Sequence, residues 1–197
     1  MSAIVLAAGM SQRMGKENKL LLPFAGKTLL ETTIGNILRA EPRPEVIVVT
    51  GHEADRVKAA IQHLPVTILH NPGYATGMTG SIQAGVRRAM GDGFMICLGD
   101  MPLISAAEYS SLMESFEKQL ALDPQCICIP VYRQQPGNPV IFSAWYRDAI
   151  LSHTAPEGCR EIVRAHRDFV LRVPMPADSI LRDIDQEDDY IRITHLT

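Results

Sequence analysis

Apolar residues recur along this chain in two alternating rhythms. Short, largely unbroken apolar runs fit strands buried on both faces, and they fall at Ile4–Ala8, Glu45–Thr50, Val66–Leu69, Gly93–Leu98, Cys126–Tyr132 and Phe169–Pro174. A briefer extended run occupies Val140–Phe142. Between the runs, apolar residues return every three or four positions, as on a helix with one buried face. Leu30, Ile34, Ile37 and Leu38 make one such face; Val57, Ala60, Ile61 and Leu64 make a second. Ile82, Val86, Ala89 and Met90 predict a third, and Tyr109, Leu112, Met113, Phe116 and Leu120 a fourth. Shorter helices are expected near Ala144–Leu151 and from Gly158 onward, the latter with Ile162, Val163 and His166 on one side. Thr28 with Glu31, and Ser105 with Glu108, have the spacing of capping boxes. The alternation predicts an α/β fold, a three-layer sandwich around a mostly parallel sheet, with one antiparallel strand near Val140. Late in the chain, Asp183-Ile184-Asp185 reads as a strand end with Ile184 inward, and Glu187, Asp188 and Asp189 as the acidic first turn of a helix.

Composition narrows the classes. A length of 197 residues suits a single domain over 1–197 with a sizeable core. The net charge of −3 gives no electrostatic case for nucleic acid or membrane as partner. No apolar run is long enough to span a bilayer, and the first residues run apolar then basic, the reverse of a secretory signal. A cytoplasmic protein is expected. Cys97, Cys126, Cys128 and Cys159 show no C-x-x-C spacing. Three of them sit beside apolar residues and read as small core hydrophobes, with a metal role for Cys126 and Cys128 on one strand face as the alternative, and the usage fits a reducing compartment.

Candidate chemistry gathers where apolar runs end. After Ile4–Ala8, Gly9 opens a small, polar loop through Ser11, Gln12 and Arg13 to Gly15, with Lys19 just beyond. Loop amides can surround phosphate oxygens, and Arg13 and Lys19 add full positive charge, so the stretch reads as a triphosphate grip. Five residues separate Gly9 from Gly15 and Lys16 precedes Glu17, which excludes a Walker A loop; G-x-G-x-x-G is absent as well. The loop from His70 to Ser81 holds three glycines, Gly73, Gly77 and Gly80, ahead of a helix. It reads either as an elaborate N-cap or as a polar-ligand surface at a strand's C-terminal end. Asp100 leaves a buried strand in Gly99-Asp100-Met101-Pro102, where a carboxylate suits Mg²⁺. Asn138, between Gly137 and Pro139, faces a substrate or makes a plain turn. His166 reads as packing or surface.

Taken together, LAAGMSQRMG with Lys19, NPGYATGMTGSIQAG, LGDMP, GNPV and DIDQEDDY resemble the MobA-like nucleotidyltransferases, in family order from Leu6 to Tyr190. The branch they resemble is that of the molybdenum cofactor cytidylyltransferases. The resemblance implies a Rossmann-like nucleotidyltransferase fold and transfer of CMP from CTP to the phosphate of molybdenum-loaded molybdopterin, with release of pyrophosphate. It implies nucleotide binding by Leu6, Ala7, Ala8, Gly9, Ser11, Arg13, Lys19, Gly77, Ser81 and Asp100. Arg13, Lys19 and Asp100 would act in catalysis, Gly137, Asn138 and Pro139 would meet the acceptor, and Asp100 with Asp185 would hold Mg²⁺; Asp183 remains an alternative to Asp185. Contact with a molybdoenzyme or its chaperone for hand-off is also implied. Guanylyl-transferring relatives carry Ala-Gly-Gly where this chain has Ala7-Ala8-Gly9, which implies CTP over GTP. Guanylyl transfer, cytidylyl transfer to another phosphorylated acceptor, and a non-catalytic cofactor-delivery role stay open as alternatives.

Overall fold

The structure, a computed structural model, describes residues 1–10, 18–184 and 186–194. The chain begins with strand β1 (Ser2–Ala7) and, after a 3-10 turn at Lys19–Leu21, forms a small hairpin of β2 (Pro23–Phe24) and β3 (Lys27–Thr28). Then follow α1 (Leu29–Leu38), β4 (Glu45–Thr50), α2 (Ala54–Ile61), β5 (Thr67–His70), α3 (Met78–Arg88), β6 (Gly93–Leu98) and α4 (Ala106–Leu120). The remainder is β7 (Ile127–Tyr132), β8 (Gln135–Pro136), β9 (Val140–Ser143), α5 (Arg147–Ser152), α6 (Arg160–Ala165), β10 (Val170–Pro174) and α7 (Glu187–Thr194).

The main sheet has eight strands in the order β10-β7-β9-β6-β1-β4-β5, with β8 beside β7. β1 is flanked in parallel by β4 and β6, and β9 lies antiparallel between β6 and β7. The expected antiparallel strand near Val140 is therefore present within a mostly parallel sheet, and the short β8 also runs antiparallel, against β7.

Alternation along each strand builds two core layers. Ala3, Val5 and Ala7 of β1, with Val46, Val48, Met95 and Cys97, pack against α1, α2 and α4. Ile4, Ile47, Val49, Phe94 and Ile96 point the other way, onto α3, α5 and α6. Burying each valine, isoleucine, methionine or phenylalanine among these contributes on the order of 1.5–3 kcal/mol. Helices on both faces explain why the parallel strands are apolar throughout. The result is an α/β Rossmann-like sandwich, as the periodicity and the resemblance led one to expect.

Both capping boxes form. Thr28 accepts from the Glu31 amide and Ser105 from the Glu108 amide, with each glutamate returning to its cap residue. Two local expectations fail. Met90 is 83% exposed because α3 stops at Arg88. The guanidinium of Arg147 donates to Val86 O at 2.5 Å and Ala89 O at 2.7 Å, satisfying carbonyls at that helix end from far along the chain. Residues 182–184 form no strand either. Ile184 is buried, but against Phe24 and Leu29 in a small separate cluster, away from the sheet. Among the described residues, no helix is long and apolar enough to cross a membrane.

Candidate active site

The end of β6 is brought hard against β1. The Gly99 amide donates to Leu6 O at 3.1 Å, and a Cβ at residue 99 would stand 2.9 Å from Leu30 Cδ1 and 3.0 Å from Leu6 O. A side chain there would have to displace Leu30 and crowd the Leu6 carbonyl, and the next residue, Asp100, emerges just past the last backbone bond. Lys19 meets it from the 3-10 turn, whose Asn18 side chain accepts from the Leu20 amide at 3.2 Å. The Lys19 Nζ to Asp100 Oδ2 distance is 2.5 Å, and Asp100 is only 7% exposed. Its other oxygen, Oδ1, is buried and accepts no hydrogen bond among the described residues.

A buried carboxylate oxygen without a donor costs free energy, on the order of 1–3 kcal/mol, unless a cation or donor joins it. Mg²⁺ takes one or two protein carboxylates and completes its shell with water and phosphate oxygens, so Asp100 Oδ1 fits such an ion. Asp183 lines the same cleft as Asp100. No group of three or more His, Cys, Asp or Glu side chains gathers among the described residues.

The cleft encloses about 470 Å³ at the C-terminal edge of the sheet. Of the residues expected from sequence, Leu6, Ala8, Gly9, Lys19, Gly77, Ser81, Asp100 and Asn138 line it. Ala7 instead faces the core beneath α1. Gly137 donates its amide to Pro130 O at 2.9 Å, and Pro139 is buried behind a cis Asn138–Pro139 peptide, so Asn138 is the one of the three that reaches the cleft. Ser11, Arg13 and Asp185 lie outside the described residues. Tyr74, Met78, Arg160 and Asp183 also line the cleft. Tyr74 and Met78 sit in the loop singled out above, whereas nothing local to Arg160 marks it.

The first turn of α3 is less open than a ligand surface would be. Gly77 has φ +125°, and a Cβ there would lie 2.6 Å from Pro156 O. The Met78 amide donates to Pro156 O at 2.9 Å. The Thr79 hydroxyl donates to Ala155 O and accepts from the Gly158 amide at 3.0 Å. Residues 155–158 thus strap the start of the helix, an elaborate cap built from a distant segment. Ser81 Oγ accepts from Asn71 Nδ2 at 3.0 Å and remains on the cleft wall.

Among the described residues, no histidine or cysteine lines the cleft. The cysteines are free and buried, and burial pushes the Cys159 thiol up to about 12. His166 stacks edge-on against Tyr146 at 5.0 Å, as packing. The arrangement offers a cation, a carboxylate with an open oxygen and a polar wall: groups that align and neutralise anions.

Residues 3–169 match the MobA-like NTP transferase domain. Over 189 residues the chain is 28% identical to the molybdenum cofactor cytidylyltransferase of Escherichia coli (strain K12), covering 95% of this chain and 92% of that protein. It is 27% identical over 201 residues to nicotine blue oxidoreductase of Paenarthrobacter nicotinovorans, covering 98% and 95%. Among solved structures, a nucleotidyl transferase from Methanothermobacter thermautotroptrophicus superposes with a TM-score of 0.86 at 27% identity, covering 99% of this chain and 96% of that one. With a family match across most of its length and a fold to agree with it, the chain belongs to the MobA-like NTP transferase domain family and is a nucleotidyltransferase.

Proposed function

We propose that the protein transfers CMP from CTP to the phosphate of molybdenum-loaded molybdopterin. The observation that carries this is the match to the Escherichia coli cytidylyltransferase along nearly all of both chains. The cleft chemistry supports it. An oxygen of the acceptor phosphate attacks the α-phosphorus of the triphosphate, the bond from that phosphorus to the bridging oxygen breaks, and pyrophosphate departs with the electron pair. The nucleophile is already anionic, so no general base is required, in keeping with a cleft wall without histidine or cysteine among the described residues. What the protein must do is align two anions and neutralise growing charge. Lys19, paired with Asp100 before substrate arrives, is the cation for the departing pyrophosphate, with Arg13 assigned the same duty. Asp100, with Asp185 or Asp183, would hold Mg²⁺; when bound, the ion supplies charge neutralisation across the reacting phosphates.

The test is pyrophosphate release from each triphosphate, with and without molybdenum-loaded molybdopterin. Release from CTP only when the acceptor is present is the expected result. Equal use of GTP would overturn the cytidylyl assignment, and acceptor-independent release would overturn the acceptor.

A further inference from the structure

A second pocket, of about 120 Å³, opens off the cleft and shares Asn138 and Arg160 with it. Its walls include Ile82 of α3, Ile96 of β6 and Val140 of β9. The sheet order puts β6 and β9 on the opposite side of β1 from β4, so this pocket lies across Asp100 from the Ala8 end of the cleft. Its size is that of a single planar ring, close to the roughly 150 Å³ apolar cavity known to hold benzene. Two charged side chains line it, Glu157 and Arg160, and neither makes an ion pair among the described residues. An apolar slot with a few convergent polar groups is the usual build of a site for a flat heterocycle.

We infer that this pocket receives the ring end of the phosphorylated acceptor, a heterocycle of the 2-amino-4-oxopyrimidine type, read by Glu157 and tethered by Arg160. The inference rests on the acceptor named under the proposed function. Such a ring carries an amino group beside a ring N–H, two parallel donors that one carboxylate accepts together. Glu157 lines the pocket and is the residue that can bring a carboxylate to it. Arg160 belongs to both walls, so its planar guanidinium can donate to phosphate oxygens on the cleft side while the ring lies in the pocket. Guanine presents the same edge, so the base of GTP is the other source of this chemistry, and the test separates the two.

The experiment pairs turnover with direct binding. Phosphorylated and unphosphorylated 6-hydroxymethylpterin are titrated by fluorescence into the wild type, Glu157→Gln and Arg160→Ala, and KM is measured for CTP, GTP and molybdenum-loaded molybdopterin. Glu157→Gln is expected to weaken both pterins and raise the acceptor KM by about 10- to 100-fold, the scale of a charge-assisted hydrogen bond, with CTP KM and melting temperature unchanged. Arg160→Ala is expected to weaken only the phosphorylated pterin. If the wild type transfers to molybdopterin but Glu157→Gln keeps its acceptor KM and pterin affinity, the pocket assignment is wrong and the proposed function stands. If Glu157→Gln weakens GTP and not the pterins, the pocket reads a base, which also overturns the assignment. If the wild type does not use molybdopterin at all, the proposed function fails by itself; loss of pterin binding in Glu157→Gln would still uphold the pocket, and undiminished binding would overturn it.

Discussion

Asp100 and Lys19 share one contact of 2.5 Å at the end of β6, and each variant there tests a different duty. Asp100→Ala removes a carboxylate that faces polar space and leaves the apolar layers untouched, so the protein is expected to fold and turnover to vanish. Circular dichroism with pyrophosphate release checks both halves; near-normal Mg²⁺-dependent turnover would remove Asp100 from the metal assignment. Asp185→Ala is expected to behave similarly, whereas exposed Asp188 on α7 should be replaceable by alanine with almost no effect. Lys19→Ala should lower kcat by about 10²–10³-fold, the usual cost of one preorganised charge-stabilising donor. A rise in triphosphate KM at unchanged kcat would instead make Lys19 a contributor of uniform binding. Ala8 is a subtler case. It is buried on the cleft wall, and an ideal Cβ at Gly51 would come within 2.8 Å of its methyl, so that methyl already fills the space between two strand ends. Ala8→Gly should relax preference for CTP over GTP by part of the roughly 10–200-fold that one carbon commands in a pocket. An unchanged ratio in competition assays would move base choice elsewhere.

At the scale of elements, the caps carry measurable stability. In the Ser105–Glu108 box that starts α4, Glu108 also accepts from the buried hydroxyl of Ser179. Ser105→Ala should cost about 1 kcal/mol in urea unfolding. Glu108→Ala should cost more, about 2–3 kcal/mol, because it also strands the Ser179 hydroxyl. Equal costs would mean that the Ser179 bond adds nothing. What could be read in advance divides along the same line. Both capping boxes, the strands Glu45–Thr50 and Gly93–Leu98 and the antiparallel run at Val140 were legible because each is written in neighbouring residues. In the candidate cleft, Leu6 and Ala8 came from the family resemblance, whereas Gly9 and Asp100 were legible because strand ends mark them, and Lys19 because its charge follows the small polar loop. The end of α3 was not, since Arg147 caps it from sixty-one residues beyond Val86. Nor was its strapped beginning at Pro156, nor Arg160 on the cleft wall, because no local pattern records which loop returns to which helix. Ile184 was correctly placed inward but wrongly on a strand: period two reports a buried side, not the element that buries it.

For the molecule as a whole, the buried thiols set a pH dependence. Burial raises the Cys97 thiol and pushes that of Cys159 up to about 12. An unfolded thiol ionises near 8.5, so the folded protein binds more protons than the unfolded chain between that value and 12. Stability from these groups is therefore complete below about pH 8.5 and declines as pH rises toward 12. The urea midpoint should fall between pH 7 and pH 10, and fall less in Cys159→Ala; identical falls would exonerate that thiol. A water-soluble thiol reagent at pH 7 should find none of the four cysteines in the native protein and all four in denaturant.

Residues 180–190 tie the loop before β9 and the β2–β3 hairpin into one unit. Ile180 O accepts from the Asn138 amide at 2.9 Å, and Tyr190 Oη donates to Pro23 O at 2.6 Å. Asp183 lines the cleft between those two ties, and all three residues lie beyond the stretch, 3–169, that matches the family. Synthesis runs from the amino end, and long-range closures form late. On a translating ribosome, the strand that carries Ala8 and the turn that carries Lys19 emerge early. The Asn138 amide has no carbonyl to hold it until Ile180 has followed, so a nascent chain halted near residue 170 would lack both that tie and Asp183 on the cleft wall.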